Sequence, residues 1–280
     1  ISQDITRWTP EVWLDDPKLS FSSIGFVKVF VKVPDHSSND STQEPCSEDV
    51  FSHIYEVVDA FDPKASHSES GAVSMDEPDI ITWGEEVIDV QFGEEVSPQF
   101  QNIEEALGPA EGNALSVVSL GRGGRITFYF EEGIANGRGA DFAIFENSFS
   151  DFFLELARVE VSTDGEHFTT LPHAYLGEDQ VSAFGEHDPR QIFGLAGKYI
   201  SGYGTPFDLS TLAWSPDTQS GALDLHAVHY VRVIDIIGDG TQLDSFQHPI
   251  YDPYPTRESA GIDLDAISVL HSATTSPCPR

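Results

Sequence analysis

Basic residues are scarce in this sequence. Its 14 lysines and arginines stand against 47 aspartates and glutamates, which gives a formal net charge of −33. Such a surface repels nucleic-acid phosphates and anionic lipids, so it excludes both as electrostatic partners. The acids are spread along the chain rather than repeated as a loop motif, which favours a solvated acidic surface suited to high ionic strength. The same charge attracts cations.

Cysteine is nearly absent, and long apolar runs are absent altogether. Cys46 and Cys278 fit neither a CxxC nor a Cys/His zinc pattern, and two interpretations stay open, a disulfide in an oxidising compartment or two free thiols. No stretch is long and apolar enough to span a membrane, so no direct membrane insertion is expected. The chain begins at Ile1 rather than Met, which fits a removed signal peptide as well as a trimmed chain.

Short apolar runs separated by glycine, aspartate and asparagine fill the chain from about residue 80. Seven of them have the length and alternation of strands: residues 87–92, 116–120, 125–130, 141–145, 156–162, 229–236 and 262–270. This number and spacing predict an all-β fold, an antiparallel β-sandwich or jelly roll with long polar loops. Little helix is expected beyond a turn at residues 102–107.

The first 79 residues have a different pattern of apolar and polar residues. Residues 25–33 alternate as a strand, and residues 50–60 fit either a strand or a helix. The polar segments between and after them are predicted to be loops. The sequence therefore predicts an N-terminal extension at residues 1–79 that packs on a sandwich at residues 80–271, with a tail at residues 272–280.

Carboxylates occur where predicted strands begin or end. Glu146 follows two apolar residues on the inward face of one strand, and Asp263 and Asp265 are expected on the face of Ile267 and Val269 in the last strand. A carboxylate at the rim of an apolar core is costly unless a cation or donor meets it. Oxygen ligands in loose geometry suit Ca²⁺. The predicted ligands of a structural Ca²⁺ are Glu146, Asn147, Asp263 and Asp265, with Asp235 and Asp252 as secondary candidates.

Aromatic residues in glycine- and proline-rich segments are candidates for ligand contact. Exposed rings beside carboxylates and amides are typical of sugar or cofactor recognition, although Trp and Tyr also close the ends of β-sandwiches. The predicted contact residues are Tyr203, Trp214, Tyr251 and Tyr254, with His187 and Arg190 as polar partners.

Catalytic motifs are hard to find. The turn at residues 121–124 lacks the GxxxxGK[ST] pattern and is predicted to be a tight hairpin. His226 and His229 are three apart on a predicted strand, so they point to opposite faces and cannot chelate one ion together. Carboxylate pairs for glycoside hydrolysis stay open, but acids are so abundant that any fold would bring some pair together.

Several separate segments match one known pattern. The matching segments are residues 106–109 (ALGP), 118–127 (VSLGRGGRIT), 141–147 (DFAIFEN), 159–165 (VEVSTDG), 203–209, 249–256 and 261–267. They resemble the motifs of a family of bacterial cell-surface proteins, from which residues 1–79 depart. The segments VSTDGEHF and YVRV are also similar to segments of discoidin and other galactose-binding-like jelly rolls. The resemblance implies a calcium-containing β-sandwich with ligand-binding loops, in a secreted, periplasmic or cell-surface bacterial protein.

These observations favour a non-catalytic calcium-binding sandwich that binds carbohydrate or another surface polymer. Two alternatives stay open: capture of a small nutrient or cofactor, such as a corrinoid, for an outer-membrane transporter, and a polysaccharide-cleaving enzyme. A glycan array, a colour change on cofactor addition and the release of reducing ends distinguish the three.

Overall fold

The chain divides into two compact units, residues 1–61 with 276–280 and residues 62–275. This computed structural model describes residues 61–113 and 116–274 in full and, in the first unit, the backbone of two strands. These are β1 (Phe26–Phe30) and β2 (Ile54–Val58), which pair antiparallel. Cys46 and Cys278 lie outside the described residues, so both interpretations, a disulfide and two free thiols, stay open.

The second unit consists mainly of short strands. They are β3 (Val73–Ser74), β4 (Thr82–Trp83), β5 (Glu86–Gln91), β6 (Val118–Ser119), β7 (Arg125–Ile134), β8 (Phe142–Glu146), β9 (Ala157–Ser162), β10 (Thr169–Thr170), β11 (Ala174–Tyr175), β12 (Ile192–Phe193), β13 (Tyr203–Phe207), β14 (Val228–Asp235), β15 (Asp239–Leu243), β16 (Pro249–Tyr251) and β17 (Asp263–Val269). The helical segments described are one short α-helix, α1 (Pro216–Ser220), and 3-10 turns at Pro98–Phe100, Ile103–Ala106, Pro189–Gln191 and Leu209–Leu212.

Two antiparallel sheets form the sandwich. One has the strand order β10-β9-β14-β7-β5, and the other has the order β3-β13-β8-β17-β4, with β6 also paired to β17. Alternate residues of β7, such as Ile126 and Phe128, enter the same core cluster as Phe142 and Ile144 of β8. The main core therefore lies between the two sheets, and the predicted all-β antiparallel sandwich is confirmed.

Both predicted boundaries of the sandwich move outward. Residues 62–79 belong to the second unit, since Val73 of β3 pairs with Gly204 of β13. At the other end of the chain, Ala273 N–H donates to Gly133 O at 3.0 Å. Residues 272–274 are therefore bonded to the sandwich rather than forming a separate tail.

Two local features differ from the predicted pattern. The register of β17 shifts between Leu264 and Ala266, and as a result Leu264 joins Ile267 in the main core. Asp263 and Asp265 therefore do not share one face with Ile267. The turn at residues 121–124 is no hairpin, because β6 and β7 lie in different sheets.

The strand directions define two ends of the sandwich. At the first, here called the acid end, β8 and β14 finish and β17 begins, and Ile262 N–H reaches Asp235 across the sheets. At the second, called the opposite end, β7 finishes and β8 begins, and Ala135 N–H donates to His271 O at 3.0 Å. The residues that the sequence predicts to bind a metal or another ligand are divided between these two ends.

Candidate metal centre

Five carboxyl side chains collect at the acid end. We call this group the acid cluster; its members are Glu146, Glu155, Asp235, Asp252 and Asp263. None of the five residues is more than 7% exposed. Glu146 and Asp263 belong to the six-stranded sheet, whereas Asp235 ends a strand of the five-stranded sheet. A cation bound there would join the two layers of the sandwich.

Backbone amides hold two of these carboxylates in position. Asp235 accepts hydrogen bonds from Gly123 N–H and Ile262 N–H, each at 2.8 Å. Glu146 Oε2 accepts one from Ser148 N–H at 2.9 Å. The glycine-rich turn between β6 and β7 thus has a role that its motif did not indicate, which is to fix a carboxylate of the cluster.

Asp252 and Asp263 are held in a similar way. Asp252 Oδ1 accepts a hydrogen bond from Leu156 N–H at 3.0 Å, and Asp263 Oδ1 accepts a short one from Ser119 Oγ–H. The chain enters β17 through Gly261, whose φ is 74°; a Cβ there would lie 2.6 Å from Asp235 Oδ1. Glycine is the residue that tolerates both this conformation and this close approach.

The carboxyl groups raise one another's pKa. Burial raises the pKa of Glu146 well above its ordinary value, and the charge of Asp263 raises it further. Burial also raises the pKa of Glu155, with further contributions from Asp263 and Asp252. The pKa of Asp235 rises for the same reasons, burial first and then Asp252. Desolvation and like-charge repulsion both disfavour ionisation, and a nearby cation would offset both effects.

Asn147 adds an unusual observation beside Glu146. Its side-chain Oδ1 and Nδ2 are both buried and have no hydrogen-bond partner. A buried amide without partners costs free energy, and an amide oxygen is a ligand that Ca²⁺ accepts. Within the described residues, no three Asp, Glu, His or Cys side chains already converge around one ion-sized position. Cation binding would therefore require rotation of these side chains.

His187 lies at the edge of the acid cluster. Its Nε2 is 3.6 Å from Asp252 Oδ1 and is buried without a hydrogen-bond partner. Its Nδ1 is 3.3 Å from the hydroxyl of Tyr175, and the two rings meet edge to face. Burial lowers the pKa of His187 to about 4, so the ring is neutral at neutral pH. The sequence predicted an exposed ligand contact here, whereas the side chain is enclosed.

For two acidic residues, the alternation of side chains along the strands did not predict membership of the acid cluster correctly. Asp265 accepts hydrogen bonds from Glu111 N–H at 3.0 Å and Gly112 N–H at 2.9 Å, so it holds the loop before β6 instead of facing the cluster. Glu155 was not predicted, although it lies in the cluster. Its only sequence signal is its position just before a strand, between Leu154 and Leu156, which are both fully buried.

The predicted aromatic contacts do not form one surface. Tyr203 and Tyr254 are each 37% exposed, and Tyr254 lies against the guanidinium of Arg122. Tyr251 is half-buried and packs on a second core cluster that includes Ile250. Trp214 is exposed but follows β13 at the opposite end of the sandwich. Trp214 and the three tyrosines therefore cannot contact one small ligand together.

Arg190 is exposed and already paired. Its Nη2 lies 2.6 Å from Asp188 Oδ2 within the same short turn. This pairing lowers the pKa of Asp188. An arginine held by its own neighbour is less available to a ligand carboxylate, although its remaining donors can still reach a hydroxyl group.

Exposed phenylalanines near the acid end were missed by sequence reasoning. Phe149 and Phe152 lie in the loop that follows Asn147, and Phe184 lies in the loop that precedes His187. Phe184 is 90% exposed and Phe149 is 68% exposed. The two loops are joined, since His187 N–H donates to Phe152 O at 2.7 Å. Large apolar side chains exposed in neighbouring loops are typical of interaction sites.

No protein-family model matches the chain, and a search of curated proteins gives no significant match. The resemblance to bacterial cell-surface proteins accordingly stays a prediction. Among the described residues, no helix has the length and apolar character needed to cross a membrane.

Proposed function

We propose that this chain is a non-catalytic, secreted or cell-surface β-sandwich that binds Ca²⁺ in the acid cluster and binds carbohydrate or another surface polymer through loops of the acid end. The observation that carries the proposal is the burial of five carboxyl groups together. The groups that act most strongly on Glu155 are four other members of the cluster. Buried charge of one sign is retained in proteins where a cation compensates it.

Calcium fits this donor set better than magnesium does. Ca²⁺ accepts about six to eight oxygen ligands in flexible geometry, whereas Mg²⁺ demands a near-ideal octahedron. The cluster offers carboxylates from separate segments of chain, and Asn147 supplies an amide oxygen without a partner. Such a set can adjust to an ion of loose geometry. The residues present therefore fit the proposed ion.

Chelation tests the calcium proposal. Protein treated with EGTA and dialysed should gain about 2.7 kcal/mol in its free energy of unfolding when free Ca²⁺ reaches about 100 times its dissociation constant. For a unit of this size, that gain corresponds to a rise in Tm of roughly 5–10 °C. Circular dichroism and isothermal titration calorimetry measure the two quantities. Identical melting curves with and without Ca²⁺, together with no heat of binding, would refute the proposal.

Two variants separate the cluster from the general acidity of the chain. Glu146→Gln removes one charge from the cluster but keeps an oxygen that Ser148 N–H can reach. Glu186→Gln removes one charge from an exposed residue near the same end. We expect Glu146→Gln to weaken calcium binding by tenfold or more, because a ligand is lost, and Glu186→Gln to change it less than twofold.

The ligand proposal rests on exposed rings around the acid end. Tyr203, Tyr254 and Phe184 present apolar surfaces on a strongly acidic protein, and rings of this kind stack on sugars without requiring a charged partner. A neutral glycan suits a chain of net charge −33 better than an anionic one does. The ring surfaces thus favour a neutral carbohydrate over an acidic polymer.

A glycan array followed by paired variants tests this part. Tyr254→Ala and Phe184→Ala should each weaken binding of a captured glycan by roughly 1–3 kcal/mol, the scale of an aromatic contact residue. Trp214→Ala, at the opposite end, is the matched control and should leave the affinity unchanged. Loss of binding in Trp214→Ala alone would move the site to the opposite end. Release of reducing ends from a polysaccharide, abolished in Glu146→Gln, would replace the proposal with an enzymatic function.

A further inference from the structure

One buried side chain at the edge of the acid cluster offers a nitrogen rather than an oxygen as a metal ligand. His187 is 3% exposed, and its Nε2 has no hydrogen-bond partner. Nε2 lies 3.6 Å from Asp252 Oδ1, which is too long for a hydrogen bond. A buried ring nitrogen without a partner costs free energy. Calcium does not relieve that cost, because it takes oxygen ligands.

The imidazole ring of His187 is held in place by its contacts with Tyr175. Tyr175 Oη lies 3.3 Å from Nδ1, and the edge-to-face contact of the two rings, at 5.8 Å, limits rotation. The backbone of His187 is anchored by its bond to Phe152 O. A proton on Nδ1, shared with Tyr175, leaves the lone pair of Nε2 pointing toward Asp252. A fixed second nitrogen is the usual means by which a protein aims a ligating histidine.

The charge of the cluster leaves room for a second ion. If cation binding ionised all five carboxyl groups, they would carry a charge of −5, and one Ca²⁺ would reduce it to −3. We propose that the acid cluster is a two-cation site, in which His187 Nε2 and Asp252 bind a second divalent ion of the Mn²⁺, Co²⁺ or Zn²⁺ class beside Ca²⁺. Imidazole together with carboxylate suits these ions, whereas carboxylates alone suit Ca²⁺. Glu155, which interacts with Asp252, is the candidate for a third ligand.

This inference shares the cluster with the proposed calcium site but requires a different ion and a different donor, so the two can fail separately. Co²⁺ is the probe, because nitrogen and oxygen coordination of Co²⁺ gives visible absorption. Chelator-treated protein is titrated with Co²⁺ in saturating Ca²⁺, and calcium content is followed by elemental analysis. The expected result is one bound Co²⁺ with Ca²⁺ retained. Displacement of Ca²⁺ by Co²⁺, one for one, would mean a single shared site and would overturn the proposal.

The chain offers a matched control. His173 is also buried with an unpartnered Nε2, but it lies beside Asp244, outside the cluster. His187→Gln should weaken Co²⁺ binding by at least tenfold and leave Ca²⁺ affinity within twofold, while His173→Gln should change neither. Tyr175→Phe keeps the ring packing and should weaken Co²⁺ binding by roughly 10-fold, because the orienting hydroxyl is lost. Unchanged Co²⁺ binding in both His187→Gln and Tyr175→Phe would overturn the assignment of the ligand, and Tyr175→Phe decides the matter if His187→Gln does not fold.

Discussion

The two ends of the sandwich bury carboxylates in opposite ways. At the opposite end, Asp141 is fully buried and its oxygens accept hydrogen bonds from Gly137 N–H at 2.6 Å and Leu209 N–H at 2.7 Å. His271 Nδ1 lies 2.9 Å from the same carboxylate, which raises the pKa of the histidine. At the acid end, Asp235 is equally buried, yet the charges that act on it most are those of Asp252 and Asp263.

The difference shows that burial alone does not indicate a functional acid. Asp141 meets two N–H donors and a basic ring, so it fastens the loops of its own end and needs no ion. The members of the acid cluster meet donors too, but they also meet one another. Like charges in a desolvated site oppose ionisation, so the sign of a carboxylate's neighbours is what distinguishes the acid cluster from Asp141. Substitutions at the opposite end and at the acid end test this comparison.

The largest effect is expected at the opposite end. Asp141→Ala removes the acceptor of two backbone donors and of His271, and each buried donor left alone costs about 1–3 kcal/mol. We therefore expect a loss of roughly 2–5 kcal/mol in the free energy of unfolding. Urea denaturation measures it. The increment that Ca²⁺ adds to stability should be the same as in the unchanged protein, and a lost increment would link the two ends and break the comparison.

Unlike Asp141→Ala, Asp252→Asn should not lower the free energy of unfolding of the metal-free protein. The amide oxygen can still accept the bond from Leu156 N–H, while one repelling charge disappears. Metal-free stability at neutral pH should stay equal or rise by about 1 kcal/mol, the scale of one pKa unit. Stabilisation by Ca²⁺ should fall by about 1–3 kcal/mol, since a charged ligand is lost. Melting curves with EGTA and with Ca²⁺ report both changes; strong destabilisation of the metal-free variant would mean that Asp252 resembles Asp141.

The dependence of stability on pH separates the two ends further. The carboxyl pKa values of the acid cluster are raised in the folded state, so folded protein binds protons more tightly than unfolded protein does. Stability of metal-free protein should therefore fall as pH rises above the unfolded carboxyl pKa of about 4. The raised pKa of His271 also makes stability fall, but only above its unfolded pKa of about 6.5.

Between about pH 5 and pH 6 the fall caused by His271 has not begun, but burial lowers the pKa of His187 to about 4 and that of His173 as well, and both make stability rise with pH in this interval. The contribution of the acid cluster is therefore taken as the difference in slope between the unchanged protein and Glu146→Gln. We expect the free energy of unfolding of the metal-free protein to change over this interval by about 1 kcal/mol more in the downward direction than that of Glu146→Gln. Saturating Ca²⁺ should flatten or invert the slope, because it binds the ionised form. A slope in EGTA that is unchanged in Glu146→Gln would assign the effect to the general acidity of the chain.

The smallest effect is expected at the exposed ring of Phe184. Because Phe184 is 90% exposed, Phe184→Ser should alter the free energy of unfolding by less than about 0.5 kcal/mol. The variant should nevertheless lose affinity for a glycan that the unchanged protein retains. Thermal melting and glycan titration measure the two. A large drop in stability would show that the ring packs in the core in solution and does not serve as a contact.

The long strands could be predicted from the sequence because their apolar residues alternate. All seven predicted strands have a counterpart, and Glu146, Asp235, Asp252 and Asp263 are close enough to Glu155 to raise its pKa. Apart from β6, the two-residue strands could not be found, since a pattern of period two needs more than two residues to show itself. The exact faces of β17 were also beyond reach, because the bulge at Leu264 leaves no mark in composition.

The environment of single side chains was less predictable than the strands. His187 reads as a polar loop residue, and only the fold encloses it between Tyr175 and Asp252. Tyr251 was likewise interpreted as a loop residue from the sequence, although it packs against Ile250 and its neighbours. Burial of a loop depends on what another segment places over it, and this is a property of the tertiary structure.

The acid cluster also has a consequence for the lifetime of the folded chain. Its members come from widely separated positions, with Glu146 first and Asp263 last. A bound ion would close long loops of chain as a disulfide does, and a cross-link spanning about 100 residues is worth about 4.7 kcal/mol in the chain-entropy description. Because its ligands meet only once both sheets have docked, the ion should slow unfolding far more than it speeds folding. Calcium would then set how long the protein survives, while the strands alone set how fast it forms.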